Sequence, residues 1–118
     1  MNLTSNITNF YYLSEFSEND IGFMREMVEV FIKETPRELQ KLQFALSKRD
    51  WKTIGSIAHS LKTSVRLMGM KDLHMEIEEL EISGKSEKDV KSIPERTEKI
   101  IKICEEAIAE LKEKKKYL

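Results

Sequence analysis

The sequence has few residues that cross-link or interrupt a chain, and it has no long hydrophobic run. It contains one cysteine, Cys104, with two prolines and four glycines in 118 residues. A single cysteine excludes an internal disulfide framework and is typical of a reducing compartment. No segment approaches the roughly 18 consecutive apolar residues of a membrane-spanning helix, and the N-terminus lacks the charged-then-apolar pattern of a secretion signal. We therefore expect a cytoplasmic protein that makes no membrane contact.

Charge of either sign is not in excess. The 20 lysine and arginine residues offset 21 aspartate and glutamate residues, so the formal net charge is -1. Without a broad basic field, nucleic-acid binding is not expected. The hydrophobic content of 40% and the charged content of 35% are typical of a helix-rich globular protein. The length, without a repeat or a linker, predicts a single domain over residues 1–118.

Aromatic residues are concentrated near the start of the chain. They predict a short helix that packs against the body of the protein, with the apolar residues Phe10, Tyr11, Tyr12, Leu13 and Phe16. The next helix, predicted from about Asn19 to Glu34, carries a second apolar row beside its main stripe, which is wider than one bundle contact needs. That second row consists of Phe23, Met27 and Val30. We predict that the N-terminal aromatic residues cover it.

Capping signals mark the helices that follow. Thr35-Pro36-Arg37-Glu38 has the spacing of a capping box with proline at the first helical position. It either starts a new helix or kinks one long helix that continues to about Lys48. Asp50 is predicted to cap a third major helix, which Gly69 ends.

A polar segment separates the last two helices. The fourth helix is predicted to stop near Gly84, residues 85–91 to form a loop, and Ser92 with Glu95 to cap the final helix. Apolar residues at helical spacing mark the inward faces of the third and final helices: Ile54, Ile57, Ala58, Leu61, Val65, Met68, Ile93, Ile100, Ile101, Cys104, Ala107, Ile108 and Leu111. No segment alternates with the period of a strand, and the connections are short. The sequence therefore predicts an all-α fold, an antiparallel up-and-down four-helix bundle with a short N-terminal helix packed on it.

The outward face of the third helix carries a histidine among small and cationic residues: Gly55, His59, Lys62, Thr63 and Arg66. Residues three and four apart are neighbours on a helix, so Lys62 and Thr63 flank His59. Gly55, one turn before His59, is expected to clear space beside the imidazole for another protein. A neutral imidazole is a competent nucleophile near pH 7, and a nearby cation can balance a phosphoryl group on the ring. These residues alone fit a phosphoryl-accepting site and a solvated face with an incidental histidine equally well.

The residues around His59 belong to a longer pattern. Ala58-His59-Ser60-Leu61-Lys62-Thr63-Ser64-Val65-Arg66-Leu67-Met68-Gly69 gives histidine, any residue, an aliphatic residue, lysine, a small pair and a glycine ten positions after the histidine. Further positions agree on both sides of it: Phe31, Pro36, Leu39, Leu42, Ala45, Leu46, Asp50, Trp51, Ile54, Leu73, Leu80, Glu81 and Gly84. This pattern resembles the histidine-containing phosphotransfer (HPt) domain family. The likeness runs from about Tyr12 to Gly84, with its core motif at residues 50–84.

The resemblance implies a role and a set of partners. Domains of this family accept a phosphoryl group from the aspartyl phosphate of a receiver domain and pass it to another receiver. By this match His59 would be the phosphorylated residue, and Lys62 would steady the phosphoryl group. The expected partners are response-regulator receiver domains and a hybrid sensor histidine kinase. The chain would then be a phosphoryl carrier and not an enzyme, monomeric, with no cofactor, metal or nucleotide site of its own, and Mg²⁺ would come from the receiver.

The docking surface is expected to include Gly55, Thr63, Arg66 and also Met70, near the junction of the third and fourth helices. Thr63 departs from the family pattern, which usually has glycine at this position. Its side chain could crowd a docking receiver or donate its hydroxyl to the phosphoryl group, and either would tune partner choice or transfer rate. A second departure, Glu76 where the family often has an aliphatic residue, is expected to face solvent.

Other interpretations remain open. The segment His59-Ser60-Leu61-Lys62-Thr63-Ser64 comes close to the motif of a histidine-kinase dimerisation helix, but it lacks the acidic residue after the histidine and the proline. A non-phosphorylated bundle that binds receivers as an adaptor is also compatible with the sequence. His74 is expected to be a surface histidine, and the run Lys112–Lys116 a solvated helix end.

Overall fold

The computed structural model describes residues 7–118, which form five α-helices. These are α1 (Tyr11–Phe16), α2 (Ile21–Ser47), α3 (Trp51–Leu67), α4 (Lys71–Ser86) and α5 (Ile93–Lys114), with short 3₁₀ turns at Val90–Ser92 and Lys115–Tyr117. That part of the chain contains no strand. The four long helices form a bundle in which α3 packs most extensively on α4, while α1 rests on α2 and α3. The predicted all-α bundle with a short N-terminal helix is confirmed.

Pro36 lies inside α2, which runs unbroken from Ile21 to Ser47. Of the two alternatives for the motif at residues 35–38, the continuous helix is therefore correct. Asp20 caps the start of α2, because its Oδ1 accepts the backbone N–H of Phe23 at 3.1 Å. The helix therefore begins slightly later than Asn19, the predicted start.

Both ends of α3 lie where the sequence predicts them. Asp50 Oδ2 accepts the hydroxyl of Thr53 at 2.6 Å and Oδ1 accepts its backbone N–H at 3.2 Å, and these bonds lower the pKa of the Asp50 carboxyl. At the other end, Gly69 has a φ of 81°. A Cβ at Gly69 would also lie only 2.5 Å from the carbonyl oxygen of Asn9. Glycine is the residue that accepts both conditions.

The apolar residues that were predicted to face inward on α3 and α5 are all buried in one core. They include Cys104, whose thiol pKa is raised to about 12 by burial. The thiol therefore stays protonated at neutral pH and packs as a small apolar side chain.

The segment after α4 differs from its prediction. The helix continues through Lys85 and Ser86 and is terminated by Glu87, which has a φ of 53°. Within this last turn, Lys85 Nζ donates to a carboxylate oxygen of Glu81 at 2.9 Å, and Ser86 Oγ donates to the carbonyl of Ile82 at 2.6 Å. The predicted capping box at Ser92 and Glu95 is also wrong. Ser92 lies in a 3₁₀ turn with a helical backbone, and its hydroxyl instead donates to Asp89.

The aromatic cover predicted for α2 is largely absent. Phe16 stacks on Phe23 with ring centroids 6.2 Å apart, but Phe16 remains 62% exposed and Val30 48% exposed. The anchor of α1 is Leu13, which is fully buried. The side chain of Tyr12 turns towards α3, and the guanidinium of Arg66 lies 5.0 Å from the centre of the Tyr12 ring. The α1 aromatics therefore border the face that carries His59.

A polar clamp fixes the chain ahead of α1 to the end of α5. The Glu110 carboxylate accepts the backbone N–H groups of Ile7 at 2.9 Å and Thr8 at 2.6 Å, and it also accepts the Thr8 hydroxyl. Burial opposes ionisation of Glu110, but these bonds outweigh it and lower its pKa. Lys114 contacts Glu110 and Thr8, so the predicted solvated run at Lys112–Lys116 is wrong for Lys114.

Candidate functional site

The helix α3 presents His59 on its solvent-facing side. The His59 side chain is 58% exposed. Thr63 and Arg66 are also exposed on this face, at one and two turns from His59. Lys62 is less exposed because it reaches towards α4. The structure therefore places these four predicted site residues next to one another.

Gly55 and Met70 do not lie on this surface, so the expectation that they are exposed is wrong. Gly55 is buried because α4 crosses α3 at this point, and a Cβ there would lie 2.8 Å from the backbone nitrogen of Lys85. Met70 is only 3% exposed, because as the residue before α4 its side chain turns into the core. Neither residue offers a side chain to a partner.

Glu81 on α4 contacts predicted site residues, and these contacts were not predicted from the sequence. Its Oε2 lies 2.7 Å from Nδ1 of His59 and 2.9 Å from Nζ of Lys85, and its Oε1 lies 2.9 Å from Nζ of Lys62. Glu81 is 9% exposed, whereas its three partners all reach solvent. One carboxylate therefore connects the imidazole and both lysines.

These contacts favour the ionised forms of Glu81 and Lys62. The ion pair with Lys62 and then the hydrogen bond from Lys85 lower the pKa of the Glu81 carboxyl to about 2, against the opposing effect of burial, and His59 adds to the lowering. The same ion pair raises the pKa of Lys62, although burial opposes it. At neutral pH Glu81 is therefore a carboxylate and Lys62 an ammonium group.

The carboxylate determines which nitrogen of His59 can react. An ionised carboxylate only accepts hydrogen bonds, so in the neutral ring Nδ1 must carry the proton that faces Glu81. The lone pair is then on Nε2, at the solvent-facing end of the ring. This is the arrangement of an oriented nucleophile, in which a second residue fixes tautomer and ring plane.

A signal for Glu81 was present in the sequence. Ile77, Leu80, Glu81 and Gly84 have the spacing of one helix face, so a carboxylate stood within an apolar row. The α3 pattern carries no acidic neighbour for His59, so the partner of the imidazole lies on another helix. In the sequence, Glu81 stands out only as one position of the family-like pattern.

Residues 7–118 contain no group of three or more His, Cys, Asp and Glu side chains that could hold a metal ion. None of the helices in this part of the chain is both long and apolar enough to cross a membrane.

An exposed apolar rim borders the histidine on the α1 and α4 side. Its members are Tyr11, Tyr12, Met75 and Ile82, which are between 43% and 72% exposed. A groove of about 600 Å³ lies between Tyr12, Arg66, His74 and Met75. Ile82 lies two turns after Met75 on the same face of α4. The charged residues around His59 and this apolar rim together form one surface that is polar at its centre and apolar along one side.

Comparisons with known proteins identify the family and the fold. The sequence matches the Hpt domain over residues 26–114, most of the chain, and the chain therefore belongs to the Hpt domain family. It is a histidine phosphotransfer protein of phosphorelay signalling. The fold is similar to that of histidine-containing phosphotransfer protein B (HptB) from Pseudomonas aeruginosa PAO1, with a TM-score of 0.84 and 19% identity over 98% of this chain and 99% of that chain. No curated protein matches the sequence.

Proposed function

We propose that His59 accepts a phosphoryl group from the aspartyl phosphate of one receiver domain and passes it to another. The observation that carries this proposal is the 2.7 Å contact between Glu81 and Nδ1, which leaves the exposed Nε2 as the nucleophile. In the transfer, the Nε2 lone pair forms a bond to phosphorus while the bond from phosphorus to the aspartyl oxygen breaks. The aspartate leaves as a carboxylate. The ring keeps its Nδ1 proton, and the positive charge that it gains lies against Glu81.

Lys62 is proposed to balance the transferred group. A phosphoryl group adds close to two negative charges, and Lys62 is one turn from His59 on the same helix. In the resting site its ammonium group lies 2.9 Å from Glu81, so it is already held close to the ring. Two unit charges about 4 Å apart in water gain about 1 kcal/mol, which supports an auxiliary role and not the main source of rate.

The partners are proposed to be response-regulator receiver domains and a hybrid sensor histidine kinase, with Mg²⁺ and an acidic pocket supplied by the receiver. A specific interface covers about 800 Å² of each partner, which corresponds to a disc of about 16 Å radius. Centred on His59, such a disc includes Thr63 and Arg66, which lie within two turns on α3, and it extends towards Tyr12 and Met75, which share a groove with Arg66. We propose that a receiver covers this surface during transfer.

We further propose that the protein acts as a monomer in the cytoplasm, as a carrier without a nucleotide site. A single exposed imidazole can meet donor and acceptor in turn, which requires only one chain. The free thiol of Cys104 fits a reducing compartment. Analytical sedimentation of the free protein measures its mass in solution and tests whether it is a monomer.

The function is tested by incubating the protein with a panel of phosphorylated receivers and Mg²⁺, with His59→Gln as the matched control. We expect acid-labile label on the wild type and none on the variant. Label that persists on His59→Gln would contradict the assignment. Incubation with labelled ATP alone is expected to leave the protein unlabelled.

A further inference from the structure

The helices α3 and α4 touch through two glycines, one on each helix. A Cβ on Gly84 would lie 2.6 Å from the carbonyl oxygen of Trp51 and 2.7 Å from the backbone nitrogen of Gly55. A Cβ on Gly55 would lie 2.8 Å from the backbone nitrogen of Lys85 and 3.0 Å from the carbonyl oxygen of Glu81. These neighbours are backbone atoms, which cannot rotate away. A side chain at either position therefore requires the two helices to move apart.

This contact lies directly beside the charged centre of the site. Gly55 is one turn before His59 on α3, and Gly84 is one turn after Glu81 on α4. The backbone carbonyl that Gly55 approaches belongs to Glu81 itself. The helix separation at this level therefore determines whether the Glu81 carboxylate reaches Nδ1, which it does at 2.7 Å. A hydrogen bond of this kind is lost when the atoms separate beyond about 3.5 Å.

The backbone conformation does not require glycine at position 55 or position 84. Among residues 7–118 only Gly69 is a glycine with positive φ. A glycine inside a helix lowers its stability relative to alanine. What Gly55 and Gly84 contribute is the absence of a Cβ, and hence a short distance between α3 and α4.

We propose that Gly55 and Gly84 are positioning residues for phosphoryl transfer. Their contact fixes the separation of α3 and α4 at which Glu81 holds the Nδ1–H tautomer of His59. The inference rests on the proposed function of His59 and extends it to residues that touch neither the phosphoryl group nor the receiver.

The test compares Gly55→Ala with Gly22→Ala in the full chain. A Cβ at Gly22 would meet only Asp20 Oδ1, at an ordinary 3.5 Å. For Gly55→Ala we expect ¹⁵N chemical shifts of the His59 ring to show loss of the single Nδ1–H tautomer. We also expect a transfer rate lower by about tenfold, the loss typical of one hydrogen bond to a charged group. Gly22→Ala should keep the wild-type tautomer and rate. Wild-type ring shifts in Gly55→Ala would overturn the inference.

A double-mutant comparison separates positioning from general damage. Glu81→Ala removes the carboxylate that the glycines are proposed to position. Adding Gly55→Ala to Glu81→Ala should therefore cause no further fall in transfer rate. An equal fall in both backgrounds would mean that Gly55 acts independently of Glu81, and the inference would be wrong.

Glu81→Asp decides the question if Gly55→Ala does not fold. It leaves both glycines in place but shortens the reach of the carboxylate by one methylene. We expect the tautomer and rate to change as for Gly55→Ala, and an unchanged ring and rate would show that the helix separation is not limiting. The ring shifts do not depend on phosphorylation. If wild-type His59 took no phosphate, the proposed function would fail while the tautomer comparison still decided the role of the glycines.

Discussion

The carboxylate of Glu81 lies 2.7 Å from Nδ1 of His59, across the contact between α4 and α3. One partner is buried and ionised, and the other is exposed and neutral in its nucleophilic form. The buried residue therefore controls a group that must remain open to another protein. This division explains how a helical bundle can present an oriented imidazole on its surface.

Loss of the Glu81 carboxylate should slow transfer without removing the acceptor. In Glu81→Gln the amide can still accept a bond from the ring, but it no longer balances the positive charge that the ring gains. We expect a fall in transfer rate of about tenfold or more, since hydrogen bonds to charged groups contribute roughly 1.5–3 kcal/mol. Rapid-quench measurement with a phosphorylated receiver checks this. The matched control is Glu98→Gln, an exposed acid on α5 beside a groove with α2, and it should transfer at the wild-type rate.

Substitution of Lys62 should have a smaller effect. For Lys62→Ala we expect transfer to slow by about tenfold or less, because one exposed ion pair in water contributes about 1 kcal/mol. The control is Lys102→Ala, an exposed lysine on α5 beside a groove with α2. A loss far beyond that range in Lys62→Ala would show that the lysine does more than balance charge.

The stability of the fold should depend on pH through Glu81. Its pKa in the folded protein is about 2, below the ordinary value of 4.5. A carboxyl with a lowered pKa stabilises the fold fully above its unfolded pKa, and this contribution is lost as pH falls from about 4.5 to about 2. We expect Glu81→Gln to lower the free energy of unfolding by on the order of 2 kcal/mol at pH 6. This is less than the full pKa shift of Glu81 would give, because Lys62 and Lys85 reach solvent and water screens their interaction with the carboxylate.

Urea unfolding of wild type and Glu81→Gln between pH 6 and pH 2.5 measures this dependence. The difference between the two proteins should shrink steadily at the acid end. A difference that stayed constant over this range would mean that the carboxyl is not held in its ionised form by the fold.

Local sequence signals predicted the helix that carries the site, and contacts between helices decided the rest. The cap at Asp50, the end at Gly69 and the exposure of His59 each depend on residues within a few positions, so periodicity and capping rules found them. The burial of Gly55 depends on where α4 crosses α3, and α3 alone contains no information about this crossing. Glu81 shows the same limit, because its position in an inward row was visible but its partner on another helix was not.

Thr63 offers a test of how this chain differs from the family pattern. It is exposed one turn from His59, where a receiver would dock. If its side chain crowds the receiver, Thr63→Ala and Thr63→Gly should both speed transfer. If its hydroxyl donates to the phosphoryl group, both should slow transfer while Thr63→Ser does not. Rates with several receivers check this, and rates unchanged with every partner would remove any role for Thr63.

The apolar rim should determine affinity for the receiver and not the chemistry. Met75 is 55% exposed on the His59 side of α4, whereas Phe44, 66% exposed, lies on α2 beside a separate groove. We expect Met75→Ser to raise the KM for a phosphorylated receiver by about fivefold or more, as for an interface residue that contributes about 1 kcal/mol, with the rate at saturation unchanged. Phe44→Ser should leave both values as in the wild type. If Phe44→Ser raised KM and Met75→Ser did not, the receiver would have to approach over α2, and the rim on α1 and α4 would not be the docking surface.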